Sequence, residues 1–126
     1  MGRKIGYWVS TSLVAALMLF DAALYLSNAG VAVEGFVHLG YPQHLRIILG
    51  IAKLSGTVVL LAPGLRLLKE WAYAGFAIAW IVATIAHYLA GDGIRAITPV
   101  VLLVLLVVSY VTRPLNRRLT VSPVSA

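Results

Sequence analysis

Asp21, Lys53 and His87 sit inside long apolar runs of this sequence. On insertion scales an ionisable group costs roughly 2.5–3.5 kcal/mol at the centre of a membrane span, so each needs a reason to be there. A carboxylate, an ammonium and an imidazole are together the parts of a proton-transfer site. Asp21 or His87 would serve as acid or base, and Lys53 would hold charge. Asp21 and Lys53 are natural ion-pair partners, because either alone in a low dielectric is driven to its neutral form. The plainer alternative is that this pair glues two helices together, while His87 hydrogen-bonds a carbonyl or reaches for the interface.

Helical spacing extends each group into a stripe. Tyr25 and Asn28 follow Asp21. Gly50 and Thr57 flank Lys53, with Gly56 close by. Trp80, Thr84 and Gly91 flank His87. Small, hydroxyl and aromatic side chains of this kind line a bundle interior or a cavity wall, which makes Tyr25, Trp80 and Thr84 candidate ligand-binding residues. Glu34 and His38 are four apart and share one face if their stretch is helical. They would lid the same cavity, with Asp92 at its rim, or else remain solvated interfacial residues. His38, His87, Glu34 and Asp92 are metal-ligand types, but their spacing matches no known metal pattern, so no metal is expected.

The elements that must carry these groups are transmembrane helices. Trp71–Ala90 is twenty residues without formal charge when His87 is neutral. At about 1.5 Å rise per residue it matches a hydrocarbon core of roughly 30 Å. Three further runs are comparable, giving spans of about 5–26, 45–62, 71–90 and 94–112. Measured from the ends remote from the N-terminus, Asp21 lies about 8 Å, Lys53 about 12 Å and His87 about 5 Å deep. Three helices therefore place a polar group in the same half of the membrane.

Residues 31–44 are too short and polar to span. Glu34–Leu39 fits a short interfacial helix, and Gly40-Tyr41-Pro42 is turn chemistry. Gly30 is a plausible cap for the first helix. Pro63–Glu70 reads as a connector, and Gly91-Asp92-Gly93 as a tight turn that makes its flanking helices antiparallel neighbours. The Val/Leu-rich body of the last span is expected to face lipid on most sides. The fold class is all-α: an antiparallel four-transmembrane-helix bundle as one domain over 1–118, with a disordered tail at 119–126.

Composition agrees. Hydrophobic residues make up 61% of the 126 and charged residues 11%, more apolar surface than a soluble domain this small can bury. The net charge of +6 does not indicate nucleic acid, because the basic residues cluster at segment ends. Arg3, Lys4, Arg66, Lys69, Arg113, Arg117 and Arg118 fall on one side, and Arg46 and Arg95 on the other. The positive-inside rule then places both termini in the cytoplasm, for a bacterial-type cytoplasmic membrane, and the polar groups toward the outside. With no cysteine, the chain itself does no dithiol chemistry.

Gly35-Phe36, Leu39-Gly40-Tyr41-Pro42, Leu49-Gly50, Lys53-Leu54, Leu68-Lys69-Glu70-Trp71-Ala72-Tyr73-Ala74-Gly75, and His87 with Gly91-Asp92 resemble the DoxX-like family of small four-helix membrane proteins. The resemblance covers residues 35–92 well and the flanks loosely. It implies a four-span bundle. Founding members of that family resemble a subunit of a thiosulfate:quinone oxidoreductase, and other relatives serve membrane redox complexes or act as chaperones and cargo receptors.

Two functions follow as expectations. One is an outward-facing polar cavity binding a small lipophilic molecule, quinone- or isoprenoid-like. Its chemistry would be isomerase- or hydratase-type acid/base work, or a quinone-linked oxidoreductase role in which a bound quinone or a partner carries the electrons. The other is a non-enzymatic scaffold or assembly subunit with a membrane-protein partner or a second copy of itself. A transporter is disfavoured, because no inverted repeat or discontinuous helix pair is visible.

Overall fold

The computed structural model describes residues 2–118; the tail expected at 119–126 lies outside them. Helix α1 runs Gly2–Leu26, α2 Gly30–Leu39, α3 Gln43–Leu61, α4 Arg66–Leu89 and α5 Ile97–Val111. A 3-10 turn, Gly93–Ala96, leads directly into α5, and another, Leu115–Arg117, follows it. Four helical stretches are long and apolar enough to cross a bilayer: α1, α3, α4 and Gly93–Val111. The chain is therefore an all-α polytopic membrane protein.

The spanning helices form a ring. α1 lies between α3 and α5, and α4 packs against α3 and α5 on the far side. The short α2 leans on α3 and α1 through buried Ala32 and Phe36, whose ring meets Tyr25 edge-on at 5.3 Å. The core is one cluster of Val14, Met18, Leu60, Tyr73, Phe76, Trp80, Leu102 and Leu106. Outward-facing side chains such as Phe20, Ile51, Val58, Ile78, Ile85 and Val104 stay exposed, which is what lipid as solvent permits. Helix α5 presents Pro99, Leu102, Leu106 and Ser109 to the interior and its remaining valines and leucines outward.

Helix ends differ from the sequence expectation in two places. Asn28, with φ 58°, takes the left-handed position after α1, while Gly30 opens α2. Asn tolerates that conformation, and its Oδ1 also accepts a hydrogen bond from Arg46 Nη2 at 2.8 Å. Arg46 Nη1 donates to the carbonyl of Tyr25, so a buried guanidinium closes the end of α1. The stretch read as a connector ends at Leu65, and α4 begins at Arg66, which puts Lys69 and Glu70 inside the helix.

Lys69 shows why. Its side chain is fully buried (0% exposed), and Nζ donates to the carbonyls of Val59 (2.8 Å), Gly64 (2.7 Å) and Ala62. Arg117 donates to Leu60 O (2.9 Å) and Leu61 O (3.2 Å). The last carbonyls of α3 have no partner within their own helix and carry the negative end of its dipole. Two buried cations from elsewhere in the chain satisfy them. Lys69 and Arg117 are thus structural caps as well as charges on one side of the bundle.

Polar pairing continues up the interior at this end. Ser109 Oγ meets Thr11 Oγ1 at 2.5 Å and Tyr73 OH at 2.6 Å, joining α1, α4 and α5. Glu70 accepts from Arg113 Nη1 at 2.6 Å and from Tyr110 OH at 2.9 Å. No buried side-chain nitrogen or oxygen lacks a hydrogen-bond partner among the described residues.

Candidate functional site

The opposite end of the bundle holds the polar residues picked out from the sequence. Each reaches it by the geometry of its own helix. Asp21 sits on α1 one turn before Tyr25, Lys53 on α3 one turn before Thr57, and Trp80 and His87 on α4 two turns apart. Helices α1 and α4 are not direct neighbours in the ring, and α3 touches both. Lys53 on α3 is therefore placed to connect the two sides.

Lys53 Nζ donates to Asp21 Oδ2 at 3.0 Å and stands 4.1 Å from the centre of the Tyr25 ring. The ammonium thus meets a carboxylate and an aromatic face together. Lys53 is 12% and Asp21 33% exposed at the side chain, so the pair lies at the edge of the packed interior. Thr57, one turn along, donates to the Lys53 carbonyl at 2.7 Å and contributes nothing to the pair.

A second cluster caps α4. The Asp92 carboxylate holds His87 Nδ1 at 2.8 Å through Oδ2 and His38 Nε2 at 2.8 Å through Oδ1. The two histidines are anchored on different elements, His87 near the end of α4 and His38 on α2. One carboxylate therefore ties the interfacial helix to a spanning helix. Hydrogen bonds from His87 first, and from His38 second, hold the Asp92 carboxyl below its ordinary value.

Asp21, Tyr25, Lys53, Trp80 and His87 line one pocket of about 300 Å³, together with Ala83, Arg95, Thr98, Pro99 and Leu102. Four spanning segments contribute walls. Thr84 lies apart from it and donates to the Trp80 carbonyl at 2.8 Å. Glu34 is exposed on α2 and stands off the pocket, while His38 and Asp92 belong to the adjoining histidine–carboxylate cluster.

Sequence reasoning missed the contribution of the fourth span. Arg95, Thr98, Pro99 and Leu102 line the pocket, although that span reads as a lipid-facing run. By sequence Arg95 reads only as a loop charge. The available signal was its position: Arg95 and Thr98 open the fourth span at the same end of the bundle as Asp21 and His87.

Over residues 9–109 the sequence matches the DoxX-like family. This chain belongs to the DoxX-like family. The match takes in most of α1, all of α2 to α4 and most of α5, so every pocket-lining residue of this DoxX-like protein falls within the shared region. No curated protein and no solved structure shows a match to the chain.

The arrangement joins a charge-paired floor, Asp21 with Lys53, to a wall of Tyr25 and Trp80 rings and an imidazole oriented by a carboxylate. The Asp92 carboxylate fixes the orientation of the His87 imidazole, as a proton-exchanging histidine requires. The Asp21 carboxylate, held at one oxygen by the Lys53 ammonium, has acceptor capacity left for a bound hydroxyl.

Proposed function

We propose that this DoxX-like protein binds a small lipophilic molecule, quinone- or isoprenoid-like, in the pocket between Asp21, Lys53, Trp80 and His87. The observation that carries the reading is the shared pocket itself. Two charged groups and an imidazole, each costly in a membrane, are set around one space of about 300 Å³. That volume is at the lower end of small-molecule sites.

In this reading Tyr25, Trp80 and Leu102 hold the apolar body. Lys53 and Asp21 hydrogen-bond its polar end. His87, oriented by Asp92, gives or takes a proton, so that isomerisation or hydration is the class of chemistry the groups support. A quinone in the pocket would bring its own redox chemistry, with Lys53 and His87 as donors to its oxygens. The end bearing both chain termini faces the cytoplasm, by the bias of Lys and Arg, and the pocket opens to the other side of a cytoplasmic membrane.

The test is mass spectrometry of molecules co-purifying with wild-type protein, with Asp21→Asn and with His87→Gln. A discrete lipophilic species bound to the wild type and lost from Asp21→Asn at unchanged expression supports the reading. Identical bulk lipid in all three sinks it.

One observation favours a second reading. The Asp21–Lys53 pair also cross-links α1 to α3, as Thr11–Ser109–Tyr73 and the Lys69 cap cross-link helices elsewhere. The pair would then be glue in a scaffold subunit. In that case Asp21→Asn leaves the co-purifying lipid unchanged, and affinity capture of the wild type returns a stoichiometric membrane partner.

A further inference from the structure

A second space lies beside the pocket. Helices α3 and α4 leave between them a groove of about 320 Å³, walled mainly by Leu49, Ala52, Gly56, Trp71, Gly75 and Ala79. Lys53 and Trp80 line both the groove and the polar pocket, so the two spaces meet at these residues. Small side chains along both helices create the depth. At Gly75 nothing lies within 4 Å of where a Cβ would be, and Trp71 at the groove's edge is 63% exposed.

The charges at the junction are unequal. Asp21 is matched by Lys53. Arg95 lines the same pocket, and no hydrogen bond, ion pair or ring contact engages its guanidinium among the described residues. The Asp92 carboxylate is already held by two histidines. Between Asp21, Lys53 and Arg95 the pocket wall therefore carries one cation more than it carries anions. An Arg guanidinium is a fork suited to phosphate or carboxylate oxygens.

We propose that the site takes a single-chain amphiphile with an anionic headgroup, the headgroup on Arg95 and Lys53 and the apolar chain along the α3–α4 groove. This inference rests on the lipophilic-pocket reading and names the ligand's chemical class. The division of labour follows from the solvent. An apolar chain gains little by exchanging lipid for protein, so the groove sets position and chain shape. Selection falls to the headgroup, whose charge is matched by the unpaired cation.

The test uses the full chain in nanodiscs of zwitterionic phosphatidylcholine, carrying Trp8→Phe so that Trp71 and Trp80 report. Three probes are titrated: a terminally brominated dodecyl phosphate, the corresponding brominated alcohol, and inorganic phosphate. Saturable tryptophan quenching is expected from the phosphate amphiphile, at least about tenfold tighter than from the alcohol, as one charge-assisted hydrogen bond supplies. Arg95→Gln, at an exposed position, removes that preference while the thermal melt is unchanged. Gly75→Leu, which fills the groove, weakens both chain probes. Inorganic phosphate at matched concentration displaces neither; displacement there would mean that a free anion suffices and would overturn the role of the groove. Saturable quenching by the alcohol that is abolished by Asp21→Asn and indifferent to Arg95→Gln overturns this inference and leaves the lipophilic pocket standing. Absence of saturable quenching by either chain probe fells both.

Discussion

Lys53 Nζ lies 3.0 Å from Asp21 Oδ2, a contact between residues thirty-two positions apart that joins α1 to α3. The Tyr25 ring closes the other side of the ammonium at 4.1 Å. This pair forms one wall of the pocket and also holds two spans in register.

Because the pair is only partly shielded, its coupling should be modest. Asp21→Asn and Lys53→Met singly should each destabilise by about 1–2 kcal/mol, and the double variant by less than their sum, since removing both charges leaves none unpaired. Thermal melts of the purified protein in one detergent check this. Strict additivity would show that the charges do not interact.

Lys69→Met should be far more damaging. It strips the donor from the carbonyls of Val59, Ala62 and Gly64 at a buried helix end, a loss of about 2–3 kcal/mol or more. Arg66→Gln, whose side-chain hydrogen bond to Asn116 O is an exposed contact, should cost about 0.5 kcal/mol or less. Melting temperatures and expression yields of the two variants should separate clearly.

Ser109→Ala removes the oxygen shared by Thr11 and Tyr73, and should cost about 1 kcal/mol, the scale of interhelical hydrogen bonds in membranes. Adding Tyr73→Phe to Ser109→Ala should cost little more, because the Tyr73 hydroxyl has then already lost the Ser109 oxygen. A double-mutant cycle measures the coupling.

Gly56→Ala tests the packing beneath the pocket. An added Cβ would meet Phe76 Cζ at 2.6 Å, and Phe76 stacks on Trp80 at 5.7 Å between ring centroids. The ring must shift, and Trp80 with it. The tryptophan emission maximum should move in Gly56→Ala and stay put in Gly35→Ala, where a Cβ meets nothing within 4 Å.

Asp92→Asn should loosen α2 without unfolding the bundle. Amide exchange over residues 30–39 should quicken by about fivefold at neutral pH, with the global melt little changed. The wild type should show the same loosening only in acid. A carboxyl held below its ordinary value of 3.8 contributes its stabilisation in full above that value, and loses it as pH falls through the lower value of the folded state. Loosening that sets in well above pH 3.8 would contradict the tether.

Solvent and number of spans are legible in the residues alone, and so is the position of each polar group along its helix. Hydropathy and length are local properties, and a rise of about 1.5 Å per residue converts position into depth without knowledge of neighbours. The residues Leu68–Gly75 and His87 with Gly91-Asp92 carry the resemblance to the family that residues 9–109 match. Azimuth and partners emerge when the helices pack. Depth does not say which way a helix is rotated, so Thr84 and Glu34 looked as eligible for the pocket as Trp80, and Arg95 looked like a loop charge. Lys69 and Arg117 show the same gap. From the chain they are two basic residues on one side of a membrane, and only the approach of α3's last carbonyls makes them caps. Which cation meets which carbonyl depends on contacts between residues far apart in sequence, and no local pattern encodes them.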